Sequence, residues 1–469
     1  MNNPPSNPPS DAIVFFGATG DLAYKQIFPA LLGMVRDEGL NVPIIGMGRA
    51  GRTLDQLKAR ATDSLAHHAP PHPHNAAATQ RLLDLLRYVD GDYSDPATFT
   101  RLRTALGDAK RPLHYLAVPP SMFETVAGGL AASGCATDAR LVIEKPFGHN
   151  RATAQALSRL LAGSFHEENI FRIDHYLGKE PVQNILYTRF ANSMFEPIWN
   201  RDHIGSIQIT MAESFGVQDR GKFYDETGAI RDVVQNHMLQ VLANLTMDPP
   251  TGEEHEAIRD QKATLLKAVH PLAPTDVVRG QYTGYHAVPG VPSGSTVETF
   301  VALRLAIETW RWAGVPIYIR AGKNLPVTAT EVTVHFKRPP RETFEEIVPS
   351  SSGHLRIRIS PDVTIGMGVR MKLPGERMIG DDVELILTEQ AATAMPPYQR
   401  LLWDATRGLG ELFGRDDIID AQWRIVEPVL DDTTPVYPYA PATWGPRETE
   451  ALIGPDGPWR DPRITPTKQ

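Results

Sequence analysis

The fold is decided near the start of the chain, by the stretch Ala12-Ile13-Val14-Phe15-Phe16-Gly17-Ala18-Thr19-Gly20-Asp21-Leu22-Ala23. Five apolar residues predict a buried strand, and the two glycines that follow lead into a segment with helical spacing at 28–35. Glycines in a strand-to-helix turn let the backbone approach a pyrophosphate, which then rests on the N-terminus of the helix. Many turns carry two glycines, so it is the position after the first strand that favours a dinucleotide site here.

Short apolar runs continue through the first third of the chain, separated mostly by stretches with helical spacing. They lie at 43–46, 88–89, 114–118, 141–144 and 170–173. Strands that alternate with helices predict βαβ units and a parallel, doubly wound sheet. We therefore expect an α/β Rossmann dinucleotide-binding domain over residues 11–175, preceded by a disordered leader of Pro, Asn and Ser at 1–10.

The second half of the chain has a different pattern, with longer strands that are not each separated by a helix. The predicted strands lie at 204–212, 299–308, 315–320, 331–337 and 354–359, and the predicted helices at 182–194, 229–247 and 400–412. This pattern is typical of an α+β domain with a large, mostly antiparallel sheet. We expect this domain to span 176–455 and a proline-rich mobile tail to occupy 456–469.

Composition excludes several classes of protein. The chain has 469 residues, with 47 Lys and Arg against 55 Asp and Glu, so its net charge of −8 argues against a general nucleic-acid binder. Its apolar runs fall short of the ~18 residues that a membrane span needs, and its N-terminus does not resemble a signal peptide. The single cysteine, Cys135, permits no intrachain disulfide and no cysteine metal cluster. We expect a cytoplasmic protein whose partners are small molecules, not nucleic acid or membrane.

Four histidines at positions 67, 68, 72 and 74 are interrupted by prolines. Prolines keep the segment extended, and neither a carboxylate nor a cysteine completes a ligand set there. The pattern favours a surface connector over a metal site. No metal is predicted.

The second strand indicates which dinucleotide is bound. It ends Ile44-Ile45-Gly46-Met47-Gly48-Arg49, without the Asp or Glu that would bond the 2′-hydroxyl of NAD. Arg49 instead stands where a guanidinium can meet a 2′-phosphate, which favours NADP. A solvated loop arginine is the alternative interpretation.

Two later strands of the Rossmann pattern end in charged residues. Lys145 follows the strand at 141–144, and Asp174, His175 and Lys179 follow the strand at 170–173. Ligands of doubly wound sheets bind outside the carboxyl ends of the strands, so these side chains should gather at the cofactor edge. A Lys and a His four residues apart suit a phosphate monoester. A charged surface loop would show the same residues.

A histidine occurs within an apolar stripe of the second domain. Ile230, Val233, Val234, His237 and Val241 have the spacing of the buried face of a helix. A histidine on such a face is either a hydrogen-bonded core residue or a base with a pKa near neutrality, which a hydride-transferring site needs. Periodicity does not choose between the two.

Taken together, these motifs resemble the glucose-6-phosphate dehydrogenase family. The resemblance covers roughly residues 12–450. The matching strings are GATGDLA at 17–23, EKPFG at 144–148, RIDHYLGKE at 172–180, RDVVQNHMLQ at 231–240, VRGQY at 278–282 and WRWAGVPIYIRAGK at 310–323. The nine-residue run RIDHYLGKE is highly specific, and it occurs together with the His237 helix. The resemblance implies a Rossmann domain followed by a β+α domain whose sheet forms the interface of a homodimer or homotetramer.

The resemblance also implies roles for individual residues. His237 would take the proton from the C1 hydroxyl of β-D-glucose 6-phosphate, and Asp174 would orient its ring, while NADP accepts the hydride and 6-phosphoglucono-δ-lactone is formed. The implied substrate-binding residues are Lys145, His175, Tyr176, Lys179, Glu213, Asp232 and Lys323. The implied NADP-binding residues are Gly17, Ala18, Thr19, Gly20, Asp21, Leu22, Arg49, Asp92, Tyr93, Tyr115 and Lys145.

The chain departs from the family pattern at two positions. Gln26 and Thr328 stand where the family usually has basic residues. Both changes remove positive charge near an anionic substrate, so a dehydrogenase for another hexose 6-phosphate, or one that uses both NAD and NADP, is the alternative reading. A catalytically idle NADP-binding subunit is a further alternative, against which the intact Asp174, His175, Lys179 and His237 count.

Overall fold

The computed structural model describes residues 8–48, 51–252, 255–341, 353–388 and 395–463. The chain divides into two compact units. The first consists of Met1–Glu180, Thr251–Arg259 and Ala394–Asp420, and the second of Pro181–Pro250, Asp260–Thr393 and Ala421–Gln469. Each unit is therefore built from three separate stretches of the chain.

The strands of the described residues are β1 (Ala12–Phe16), β2 (Ile44–Gly48), β3 (Leu86–Asp90), β4 (Pro112–Leu116), β5 (Arg140–Glu144), β6 (Ile170–Ile173), β7 (Ile204–Ala212), β8 (Val277–Tyr282), β9 (Phe300–Leu305), β10 (Ile317–Gly322), β11 (Ala329–Phe336), β12 (His354–Ser360), β13 (Thr364–Lys372), β14 (Gly380–Thr388) and β15 (Val436–Tyr439). The α-helices are α1 (Phe28–Asp37), α2 (Leu54–His68), α3 (Asn75–Leu85), α4 (Pro96–Leu106), α5 (Phe123–Ala132), α6 (Arg151–Ala162), α7 (Glu180–Ala191), α8 (Gly221–Asp225), α9 (Leu239–Thr246), α10 (His255–Ala268), α11 (Pro397–Arg407), α12 (Asp416–Val426) and α13 (Thr449–Ile453). Two π-helices, Ala23–Ile27 and Ile230–Met238, precede α1 and α9.

The first unit contains a six-stranded sheet in the order β3-β2-β1-β4-β5-β6, and all of its strands are parallel. Every residue of β1, β2 and β4 is buried, as expected of parallel strands covered by helices on both faces. The strand order reverses between β1 and β4, which is where such sheets leave a crevice for a ligand. The predicted Rossmann architecture is confirmed, and each expected apolar run overlaps an observed strand.

The second unit contains a nine-stranded sheet in the order β14-β13-β12-β11-β7-β10-β9-β8-β15. The predicted large, mostly antiparallel sheet is confirmed, although β7 pairs with β10 in parallel, as β8 does with β15. Strands β8, β13, β14 and β15 were not expected from the sequence. Strands β13 and β14 lie at one end of the sheet and have many exposed residues, so their sequences lack the apolar runs that predict a strand. Strand β15 is short and contains a proline, which argues against a strand.

The end of the described chain packs on the second unit. Trp459 is buried, and its indole N–H donates to the Thr449 carbonyl at 3.1 Å. Arg320, a buried residue of β10, donates to the Asp461 carboxylate at 2.8 Å. Residues 456–463, assigned to a mobile tail from their prolines, are instead held because a buried guanidinium requires an acceptor. Residues 464–469 lie outside the described residues.

The beginning of the described chain is also held in place. Arg140, buried at the start of β5, donates to the Pro8 carbonyl at 2.9 Å and to the Ser10 hydroxyl at 3.0 Å. The same guanidinium donates to the Thr406 carbonyl, the acceptor that also receives the Ser10 N–H. Residues 8–10 of the predicted leader are therefore ordered, and residues 1–7 lie outside the described residues. Across the described ranges, the structure shows no helix with the length and apolar composition needed to cross a membrane.

Candidate active site

The turn after β1 has the shape that a phosphate-binding turn requires. Gly17 has a φ of +76°, and a Cβ there would lie 2.2 Å from the Ala117 carbonyl oxygen. The turn closes through a hydrogen bond from the Gly20 N–H to the Gly17 carbonyl at 2.9 Å. Only glycine combines this conformation with so close an approach of two backbones. The turn fits a dinucleotide pyrophosphate, as its sequence predicted.

Two glycines of β2 let the same turn lie close to the sheet. A Cβ on Gly46 would lie 3.1 Å from the Ala18 Cβ, and one on Gly48 would lie 3.1 Å from the Thr19 Cγ2. The Ala18 N–H donates to the Met47 carbonyl at 2.9 Å. The end of β2 thus supports the turn directly. Arg49, the residue expected at the 2′-phosphate, lies outside the described residues.

Tyr93 and Asp92, both expected at the cofactor cleft, form hydrogen bonds with backbone groups. The buried Tyr93 hydroxyl accepts the Gly17 N–H at 2.9 Å and donates to the Met47 carbonyl at 3.1 Å. Asp92 is exposed and accepts the Ser94 N–H at 2.8 Å. The Tyr93 hydroxyl therefore links the phosphate turn to the end of β2.

The loop after β6 brings the predicted phosphate-binding residues together. The buried Asp174 carboxylate accepts the Tyr176 N–H at 3.0 Å, which turns the chain sharply at the strand end. The rings of His175 and Tyr176 have centroids 5.3 Å apart, and the Lys179 Nζ lies 3.7 Å from the Tyr176 ring centroid. An imidazole, a phenol and an ammonium thus occupy one loop, which is a suitable set of donors for a phosphate monoester.

Glycine at position 178 allows this loop to pack on α11. A Cβ there would lie 2.9 Å from the Pro397 carbonyl oxygen and 2.9 Å from the Leu401 Cγ. A helix from late in the chain therefore fixes the loop between Tyr176 and Lys179. The sequence contained no local sign of this contact.

Tyr115, also expected at the cofactor, lies buried in β4 and donates to the Glu144 carboxylate at 2.5 Å. The phenol of Tyr398 on α11 hydrogen-bonds the same carboxylate. Burial raises the pKa of Glu144 to about 7, although both phenols and the ammonium of Lys145 act in the opposite direction. Sequence reasoning assigned no role to Glu144 or Tyr398; the EKPFG string was the only available sign of the first.

In the second unit, His237 lies on the π-helix Ile230–Met238. The apolar spacing predicted an α-helix with a single buried stripe, but residues 233–247 are buried on every side. A π-helix has i→i+5 hydrogen bonds in place of the i→i+4 bonds of an α-helix, so the α-helical stripe does not describe the face on which His237 lies. Its side chain is 1% exposed, and its backbone N–H donates to the Asn236 side chain at 2.6 Å. Such π-helical turns occur often at functional sites.

Three predicted sugar-binding residues line one small cleft of the second unit. The Lys323 ammonium, at the end of β10, donates to the Glu213 carboxylate at 2.5 Å and lies 5.0 Å from the Tyr224 ring centroid. Asp232, from the π-helix, lines the same cleft. Two carboxylates and one ammonium can pair with several hydroxyls of a sugar.

The two positions that depart from the family pattern have separate surroundings. Gln26 is exposed on the π-helix Ala23–Ile27, just after the phosphate turn. The Thr328 hydroxyl lies 2.8 Å from the Ser214 hydroxyl and accepts the Ser214 N–H at 3.0 Å. Thr328 thus hydrogen-bonds Ser214, the residue that follows Glu213, at a position where the family usually has a basic side chain.

Comparison with protein families gives two matches that together cover nearly the whole chain. The model described as "Glucose-6-phosphate dehydrogenase, NAD binding domain" matches residues 14–184, and the model described as "Glucose-6-phosphate dehydrogenase, C-terminal domain" matches residues 186–460. Among curated relatives, glucose-6-phosphate 1-dehydrogenase 1 of Mycobacterium tuberculosis is 42% identical over 457 residues, 97% of each chain. The glucose-6-phosphate 1-dehydrogenase of Aggregatibacter actinomycetemcomitans is 38% identical over 96% of this chain and 97% of its own.

Solved structures show the same similarity. The glucose-6-phosphate 1-dehydrogenase of Mycobacterium avium superposes with a TM-score of 0.91 at 42% identity, covering 97% of this chain and 100% of the other. A glucose-6-phosphate dehydrogenase in complex with its substrate glucose-6-phosphate superposes with a TM-score of 0.90 at 33% identity, covering 98% and 100%. Sequence and fold therefore agree over both units.

Proposed function

The chain belongs to the glucose-6-phosphate dehydrogenase family, and from this premise we propose that it oxidises β-D-glucose 6-phosphate at C1 with NADP. The product is 6-phosphoglucono-δ-lactone. The observation that carries the proposal is the grouping of His175, Tyr176 and Lys179 on one loop, since three such donors select a phosphate monoester over a neutral sugar.

NADP supplies the hydride acceptor of the reaction when it is bound. The backbone of Gly17–Leu22 would hold its pyrophosphate, and the close approach at Gly17 supports this assignment. Arg49 would bind the 2′-phosphate, which distinguishes NADP from NAD. Lys145, at the end of β5, would lie between cofactor and sugar.

The substrate is held at its two ends. His175, Tyr176 and Lys179 bind the phosphate, while Glu213, Asp232 and Lys323 bind hydroxyls of the ring. Anchoring the phosphate fixes the position of C1, and such positioning supplies much of the rate of a reaction between two bound partners.

His237 acts as the general base. Its imidazole takes the proton of the C1 hydroxyl as the hydride leaves C1, so that a C1=O bond forms and charge balances. Asp174 orients the imidazole and stabilises its protonated form, the role that a buried carboxylate has beside a catalytic histidine. The burial of both side chains supports these assignments, because the proton transfer is thereby shielded from water.

The decisive experiment measures initial rates of NADPH formation by the purified protein. The sugars are glucose 6-phosphate, galactose 6-phosphate and glucose, each with NADP and with NAD. We expect the highest kcat/KM for glucose 6-phosphate with NADP. Preference for the galactose epimer would indicate a different phosphosugar and would direct attention to Gln26 and Thr328. NADP binding without turnover of any sugar would leave the idle-subunit alternative.

We also propose that the second sheet forms the interface of a homodimer, alone or within a homotetramer. Exposed apolar side chains of β13 and β14 support this proposal, since an apolar edge of a sheet is rarely left to solvent. They include Met371, Leu385, Ile386 and Leu387. Replacing Leu385 and Leu387 together by arginine should give a monomer by light scattering; an unchanged mass would exclude this interface.

Location in the cytoplasm is proposed by analogy with the cytoplasmic isoform of Solanum tuberosum, which is 37% identical.

A further inference from the structure

One carboxylate of the first unit lies beside the site without a role in the reaction as proposed. Glu144, the last residue of β5, is bonded by two phenols that come from different parts of the chain. Tyr115 donates from the neighbouring strand β4 at 2.5 Å, and Tyr398 bonds it from α11. Two phenols that donate to one carboxylate restrict its orientation, because hydrogen bonds are directional.

The same carboxylate lies between two residues of the proposed site. Lys145 is its neighbour in the chain. Glu144 is also paired across the sheet with Ile173, the residue before Asp174. Its charge attracts the ammonium of Lys145 and is repelled by the carboxylate of Asp174. The ends of β5 and β6 therefore meet at Glu144.

We propose that Glu144 is a positioning residue of the reaction: its carboxylate, held by Tyr115 and Tyr398, attracts the ammonium of Lys145 and fixes it in the arrangement that hydride transfer requires. The inference rests on the proposed function of Lys145, which would lie between cofactor and sugar. The ionised form is the effective one, since only a carboxylate accepts from both phenols and attracts the ammonium of Lys145 at the same time.

The proposal predicts a dependence on pH that a purely structural role would not show. The groups that face Glu144 are Tyr115 from β4, Tyr398 from α11, Lys145 and Asp174. Its burial raises its pKa to about 7, so the carboxylate is converted to the acid within the pH interval of the assay described below. Below that pH the native side chain becomes a neutral carboxylic acid and resembles glutamine.

The test compares the wild type with Glu144→Gln in initial-rate assays from pH 5.5 to 9. We expect kcat/KM of the variant to be lower by about 10–100-fold at pH 8–9, mainly through kcat, as misplaced catalytic groups produce. The ratio of the two enzymes should fall towards one below pH 6. A ratio that is constant with pH, or a value near one at every pH, would overturn the proposal.

A second pair of variants covers the case in which Glu144→Gln does not fold. Tyr115→Phe keeps the carboxylate and removes one donor, so the acid limb of the rate profile should move to higher pH. Tyr88→Phe is the control, because its hydroxyl bonds Asp90 on β3. An acid limb unchanged in Tyr115→Phe would also overturn the proposal. Failure of the wild type to oxidise glucose 6-phosphate would instead refute the proposed function, so the two failures are distinguishable.

Discussion

The Tyr93 hydroxyl offers a direct test of how the phosphate turn is maintained. Tyr93→Phe removes one oxygen and keeps the ring, which packs edge-on against Phe16 with centroids 5.4 Å apart. The Gly17 N–H loses its acceptor, whereas the Met47 carbonyl keeps the N–H of Ala18. One partly buried donor without a partner costs about 1–3 kcal/mol.

Part of that free energy should be lost from cofactor binding, since the Gly17 N–H is released from the position that shapes the turn. A loss of 1–2 kcal/mol corresponds to a rise of about 5–30-fold in the KM for NADP. We expect kcat and the KM for glucose 6-phosphate to stay within about threefold. Steady-state kinetics with each substrate varied in turn, together with a thermal melt, measure these effects. Tyr24→Phe, which removes a hydroxyl bonded to Asp63 at 2.6 Å, is the matched control. An unchanged melting temperature and an unchanged KM for NADP would refute the reasoning.

Three further predictions concern the base, the phosphate anchor and acid stability. His237→Asn should lower kcat by about 10²–10⁴-fold and change KM only a few-fold; near-normal turnover would exclude His237 as the base. Lys179→Ala should raise the KM for glucose 6-phosphate by about 10–100-fold without altering the KM for NADP; if the former is unchanged, the phosphate binds elsewhere. Burial lowers the pKa of His114 to about 4, so the stability that its neutral form contributes is present above pH 6.5 and lost as the pH falls towards 4. His114→Gln should therefore unfold less steeply with acid over that interval, and an identical acid transition would contradict this account.

Much of the first unit could be predicted because its signals are local. Each buried parallel strand is a short apolar run, and the phosphate turn follows β1 directly in the chain. The loop at Asp174–Lys179 is likewise continuous, so its imidazole, phenol and ammonium could be grouped from spacing and resemblance. Ring contacts join His175 to Tyr176 and Tyr176 to Lys179, and the binding of a phosphate by these groups stays a prediction.

Contacts between distant parts of the chain were not predictable in the same way. Nothing near Tyr398 indicates that its phenol reaches Glu144, and nothing near Gly178 indicates that α11 packs against it. The π-helix at His237 was missed because apolar periodicity distinguishes buried from exposed faces, and residues 233–247 are buried on every side. The cleft of Glu213, Asp232 and Lys323 was expected only from family resemblance, since the three residues come from separate elements.

The discontinuous composition of the first unit has a consequence for how the protein is made. Its six parallel strands are complete once residue 173 has been synthesised. However, α11 and the Thr406 carbonyl, which accepts hydrogen bonds from Arg140 and from the Ser10 N–H, come from the stretch ending at Asp420. During synthesis on the ribosome, these contacts can form only after most of the second unit has been translated. A gene fragment that stops after β6 should therefore yield an incomplete domain, and truncations from the C-terminus should damage the nucleotide-binding half of the molecule as soon as they pass residue 420.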